Sequence, residues 1–253
     1  MARNLFRSLT LALTLLFTLL LVEQMPLAGP PLICHPIEIG NSRSLPWGDA
    51  ADWRAVKRDY DLNRLVEDTL ALLTPETPVL ARMETLRRAT VYAVWARHDR
   101  EVGFTVKNEK VADELLSRLM DRIRESVRNN QSYMMALFDA GYLQSCYQQA
   151  NNHSGKNNST NSEGYTMMRK ALDGYTMVRK AAGGRGGNAE MEFAAALASK
   201  FPQQPLHVQH LQRAIAGAQE GTLLARNIVK HFGQRGQSLA DLRAQLNKAK
   251  SSD

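Results

Sequence analysis

Cys34 and His35 stand side by side, and His207, His210 and His231 gather in one C-terminal stretch; these are the side chains that could hold a metal ion or activate a nucleophile. His207 and His210 are three apart, so on a helix they share a face and could touch one ion, with His231 as a third ligand. The motifs that accompany such chemistry are absent. There is no H-E-x-x-H, no E-x-x-H of a di-iron bundle, no C-x-x-C and no G-x-S-x-G elbow. A thiol nucleophile draws its base from a distant part of the chain and needs a third group to orient it, which the adjacent Cys34–His35 pair does not provide. Asp113 and Glu114 lie on a helical pattern among basic residues and read as exposed ion-pair partners. Gly183-Gly184-Arg185-Gly186-Gly187 lacks the preceding strand and the G-K-[ST] ending of a phosphate loop, so a helix end followed by a turn is the simpler reading. No catalytic, metal or cofactor residue is assigned. An enzyme built on His35, His207 and His210, metal-dependent or hydrolase-like, stands as the alternative to a non-enzymatic protein; solvated or capping histidines are the simpler expectation.

The compartment follows from the N-terminus. Arg3 and Arg7, an apolar run from Ser8 to Val22 and small residues around Ala28 have the layout of a secretory signal peptide over 1–28, so the chain is expected to be exported, periplasmic or secreted. An uncleaved N-terminal membrane anchor is the rival reading, because the run falls a little short of the about 20 apolar residues that span a bilayer. In an oxidising space two cysteines suggest pairing, which makes Cys34–Cys146 the disulfide candidate. Its rival is two free thiols, with Cys146 buried as a small hydrophobe.

Charge is uneven along the chain. The whole carries +7, yet 29–150 holds 16 basic and 17 acidic residues, whereas 151–253 holds 14 basic against 7 acidic. Within that basic half Arg169, Lys170, Arg179, Lys180 and Arg185 form a candidate basic surface for an acidic protein partner or an anionic envelope surface. Solubility alone is the plainer account of the charge. A single RGG triplet is far short of the repeated segments that bind RNA, so nucleic acid is not the expected partner.

The elements that must position these residues are helices. An apolar content of 44% is enough for a core. The stretch 29–48 is too rich in Pro and Gly for a helix and reads as an extended strap with Ile33, Ile37 and Ile39 on one face. Over 49–150 the period turns helical. Asp52 is expected to cap a short helix carrying Trp53, Val56 and Tyr60, and Asp61 a second that ends before Pro75. A long helix starts at Thr77-Pro78, and two more cover Asn108–Arg128 and Asn130–Ala150, the last pointing Cys146 inward. The run 151–162 has no apolar residue and reads as a polar linker or loop. In 163–253, packed on the first part, a near-duplicate of ten residues begins at Gly164 and again at Gly174. At about 100° per residue the second copy is turned by about 80° from the first, so the copies cannot present one common face. Asn188, Thr222 and Ser238 with Asp241 are the caps of later helices.

The stretch Ile33-Cys34-His35-Pro36-Ile37-Glu38-Ile39-Gly40-Asn41, followed by Ser44-Leu45-Pro46-Trp47, resembles bacterial exported proteins, largely helical and without an assigned function. The likeness extends to Ala136-Leu137-Phe138-Asp139-Ala140-Gly141-Tyr142 and to Arg185–Phe193. It implies a shared fold and no activity. The reading of the chain is thus an all-α helical bundle or short helical array of eight or nine helices with an extended N-terminal strap. Its expected function is that of an exported, non-enzymatic binding or structural protein of the cell envelope.

Overall fold

The structure is a computed structural model that describes residues 32–49, 52–95, 98–99, 103–104, 109–153, 163–181, 188–199 and 205–250. The proposed signal segment 1–28, Arg185 and most of the polar run 151–162 lie outside those residues.

The first helices follow from their punctuation. Asp61 accepts the amide of Asn63, opening a 3-10 turn that leads into α1 (Leu65–Leu72). Pro75 cannot continue a helix, and after Thr77-Pro78 the chain re-enters as α2 (Val79–Trp95). Along α2 apolar residues on several faces are buried, which makes it the central helix of the array. A two-residue antiparallel pair, His98–Asp99 with Gly103–Phe104, lies between α2 and α3 (Glu109–Ser126). Helix α3 is two-faced, with Leu115 and Leu119 buried and its charges outward. Helix α4 (Asn130–His153) follows and carries the first residues of the polar run as a last helical turn.

Helix α5 (Glu163–Ala181) packs along α4 more extensively than any other pair of helices. Glycines allow the approach: a Cβ added at Gly164 would stand 2.6 Å from both the Gly141 carbonyl oxygen and the Ser145 hydroxyl, and one at Gly174 would strike the Met134 sulfur. Both copies of the duplicated segment therefore set their glycine against α4. Helix α6 (Ala189–Ala198) is capped by Asn188, whose side chain accepts from the amides of Glu190 and Met191. Helices α7 (Pro205–Gly217), α8 (Leu223–Phe232) and α9 (Leu239–Lys250) complete the array. Thr222 caps α8, and Ser238 with Asp241 forms a reciprocal capping box at α9. One apolar core runs from Leu32 in the strap to Leu242 in α9. The fold is all-α with an extended strap, as the periodicity predicts.

The short helix expected after Asp52 does not form. The Asp52 carboxylate accepts the Arg54 amide and its carbonyl accepts the Trp47 indole N–H, while the Gly48 amide donates to Ala55; these bonds close a turn, a competing use of an Asp side chain.

Among the described residues the strap pairs with no strand, and side chains satisfy its backbone. The Ile37 amide donates to Glu84, Arg87 donates to the Ile33 carbonyl and Arg88 to that of Leu45, all from α2. From α8, Asn227 accepts the Glu38 amide at 2.7 Å and donates back to the Glu38 carbonyl at 2.8 Å, and Lys230 donates to Pro36. This accounts for buried main-chain groups that would otherwise be orphaned. It also reads the I-C-H-P-I-E-I-G stretch as a clamp between two helices.

Candidate functional site

Below the clamp, α2 presents a second buried charge. Arg82 Nη1 meets Asp139 Oδ2 of α4 at 2.5 Å, both side chains nearly inaccessible. The other Arg82 nitrogens donate to the carbonyls of Thr77 and Thr74. Arg122 of α3 closes the C-terminus of α1 in the same way, donating to Leu70 at 2.8 Å and Leu73 at 3.1 Å, where cationic donors suit the helix dipole. These groups border a cavity of about 800 Å³ between α1, α2, α3 and α4. Such a volume lies within the roughly 300–1,000 Å³ of small-molecule sites. Leu70, Leu73, Pro75, Met135 and Ala136 give it an apolar wall; Glu125, Ser126, Asn129 and Ser132 line the polar side. A smaller groove of about 340 Å³ adjoins it, sharing Arg122 and Glu125 and bordered by Glu67, Arg118 and Asp121.

The polar accounting of the cavity has one gap. Among the described residues Asp139 Oδ1, which is inaccessible to water, has no hydrogen-bond partner, while Oδ2 is held by Arg82. An unpaired buried polar atom costs about 1–3 kcal/mol. Burial pushes the Asp139 carboxyl up to about 6, outweighing the guanidinium groups of Arg82 and Arg122. The carboxyl is therefore ionised above that pH and protonated below it, with Oδ1 itself inaccessible to water.

The sequence candidates fall elsewhere. Cys34 and Cys146 are both free thiols, which corrects the expected disulfide. Cys146 sits in the core beside the Thr90 hydroxyl, Arg87 is a charged neighbour of both thiols, and the strap is tied by hydrogen bonds where the disulfide was expected to tie it. Burial pushes the Cys34 thiol up to about 11 and, with Lys230 and Arg87, pulls His35 down, so the pair is thiol and neutral imidazole at neutral pH, without a thiolate nucleophile.

Of the expected solvated or capping histidines, the solvated reading fails, since His207 and His210 are buried, while His207 does cap a carbonyl, that of Ala196 in the last turn of α6. His210 Nδ1 meets Glu192 Oε2 at 2.6 Å and its Nε2 meets the Tyr165 hydroxyl at 2.8 Å, so both nitrogens are taken. A carboxylate accepts, so Nδ1 carries a proton and donates to Glu192. The chain Tyr165–His210–Glu192 ties α5, α6 and α7 together. His207 Nδ1 meets the Ala196 carbonyl at 2.9 Å and the Ser199 hydroxyl at 3.0 Å. Because the carbonyl is an acceptor, that nitrogen carries the proton and cannot serve as a base toward Ser199. His231 packs edge-on against His35 and Phe193 and is pushed down to about 3, mainly by burial. Among the described residues no three His, Cys, Asp or Glu side chains come together as metal ligands. Arg169 and Lys170 are exposed on α5, Arg179 and Lys180 stand on the same helix, and Asp113 and Glu114 are exposed on α3.

Arg82, Arg122 and Asp139 were not singled out by spacing. Their signal was a charge set inside an apolar run, Asp139 between Phe138 and Ala140, which demands a buried partner. Compared with known proteins, the chain matches no family model, no curated protein and no solved structure.

Proposed function

We propose that this chain is an exported binding protein of the bacterial cell envelope whose ligand enters the cavity between α1, α2, α3 and α4. The observation that carries the reading is the cavity of about 800 Å³ itself, with an apolar wall from Leu70, Leu73, Met135 and Ala136 and a polar side from Glu125, Ser126, Asn129 and Ser132. Arg82 and Arg122 both donate to backbone carbonyls at the end of α1 and the turn after it, which makes them part of the wall of the site. Export rests on the Arg3, Arg7 and Ser8–Val22 pattern and on the resemblance of the strap to exported proteins.

Two measurements test the reading. Mass spectrometry of protein made in a secreting host should find a chain starting near Gly29; an intact Met1 on soluble cytoplasmic protein would remove the export part. Ala71 is exposed and borders the cavity, so Ala71→Phe should keep the fold while blocking small amphiphiles that raise the melting temperature of the parent protein. Equal thermal shifts in parent and variant would place the ligand somewhere else.

A further inference from the structure

We infer that the groove between α2 and α8 is a binding site for an extended peptide, filled in this structure by the chain's own strap, and that its partner is the strap of a second copy of this chain. The helices read the strap through its main chain. Gln149 of α4 accepts the Leu32 amide at 3.0 Å, Arg87 donates to the Ile33 carbonyl at 3.0 Å, Lys230 donates to that of Pro36 at 3.0 Å and Glu84 accepts the Ile37 amide at 2.9 Å. Asn227 takes both main-chain groups of Glu38. Bonds of this kind hold an extended backbone whichever chain it belongs to, and side-chain pockets then choose the sequence. Here the strap supplies the anchors: Ile33, Ile37 and Leu45 are buried, and Trp47 stands edge-on to Tyr92 at 5.6 Å with the Arg87 guanidinium 5.0 Å from its ring. A second copy carries the same anchors and the same backbone.

The groove is also complete without the strap in it. Glu84 is paired by Arg87 and Arg88, three and four residues along the same helix, and Asn227 donates to the Leu223 carbonyl of its own helix. Lifting the strap therefore leaves no buried charge without its partner. No covalent bond holds it down, since Cys34 and Cys146 are free thiols. The connection at 52–61 is built of turns, with Arg58 and Asp59 exposed, and those residues reach about 30 Å when extended, enough to carry the strap to a neighbour. Exchange of an identical segment remakes in trans every contact made in cis, so what it loses is the advantage of the tether.

The test removes the tether and keeps the whole chain. A site-specific protease site is inserted between Arg58 and Asp59, and the chain is cut after folding so that both pieces are retained. Refolded from denaturant with an excess of fluorescent synthetic peptide 29–58, the cut chain should take up one peptide per chain by fluorescence anisotropy. N-methylation of the peptide at Ile37 and Glu38, or Asn227→Ala in the protein, should weaken that binding roughly tenfold or more. Refolded chain that excludes the peptide overturns the proposal, and equal affinity for the N-methylated peptide overturns it too, because the amides would then not be what the groove reads. The intact chain supplies a second measurement that stands even where the cut chain does not refold. Because a short tether raises the local strap concentration only to the millimolar range, intact chain refolded at that concentration should show dimers beside monomers by light scattering, and excess peptide 29–58 should return them to monomers. Monomers alone, or dimers that the peptide leaves unchanged, overturn exchange between copies.

Discussion

Two buried carboxylates less than two helical turns apart in their contacts with α2 behave in opposite ways. Glu84 accepts from Arg87 Nε at 2.7 Å and Nη2 at 2.8 Å, from Arg88 at 2.7 Å and from the Ile37 amide at 2.9 Å. Burial alone would raise its pKa, but Arg87 and Arg88 more than reverse this, and it lies below the ordinary carboxylate range. Asp139 is as deeply buried, yet it has one arginine contact and one empty oxygen, and burial wins. The difference lies in how completely each network is closed. A saturated carboxylate becomes a structural rivet for the strap; a half-saturated one keeps its proton to a higher pH.

The largest expected effect comes from opening the closed network. Glu84→Gln leaves Arg87 buried without its counter-charge and should cost about 3–5 kcal/mol in chemical denaturation. A loss below 1 kcal/mol would mean that the Glu84–Arg87 pair contributes little to holding the strap. Next comes Asp139. Its folded-state pKa, about 6, is raised above the ordinary 3.8, so the folded protein binds the proton more tightly than the unfolded chain. That contribution to stability is full below the unfolded value and is lost as pH rises through about 6. At 1.36 kcal/mol per unit, Asp139→Asn should remove roughly 3 kcal/mol of pH-dependent stability between pH 3 and pH 7. An unchanged pH profile would contradict the vacant-oxygen account.

Asn227→Ala should cost about 1–3 kcal/mol by unpairing the Glu38 amide and carbonyl, with faster hydrogen exchange at Glu38 as the local readout. The smallest effect is at exposed charge. Arg169→Glu with Lys170→Glu should leave stability within about 0.5 kcal/mol, and should weaken any low-salt binding to anionic vesicles, which screening already removes near 0.15 M salt. Vesicle binding that ignores salt would point away from charge.

The array of helices was legible because apolar spacing and caps are local: Asp61, Asn188, Thr222 and Ser238 with Asp241 each stop or start a helix from within a few residues of its end. The failures were failures of pairing. Asp52 offered a cap and made a turn, because Trp47 and Gly48, close before it in the chain, supplied competing bonds. Cys34 and Cys146 matched by count and by compartment, whereas the strap is held by Glu84, Arg87 and Asn227. The cavity draws Arg82, Arg122 and Asp139 from three helices, and no spacing rule links residues that meet only after the bundle has closed.

The most direct measurement is the Asp139 titration itself, followed by side-chain carboxyl 13C NMR. The account predicts a value near 6, because burial outweighs the Arg82 contact when only one oxygen is held. A value below about 4 would contradict the claim that the Asp139 network is left half closed.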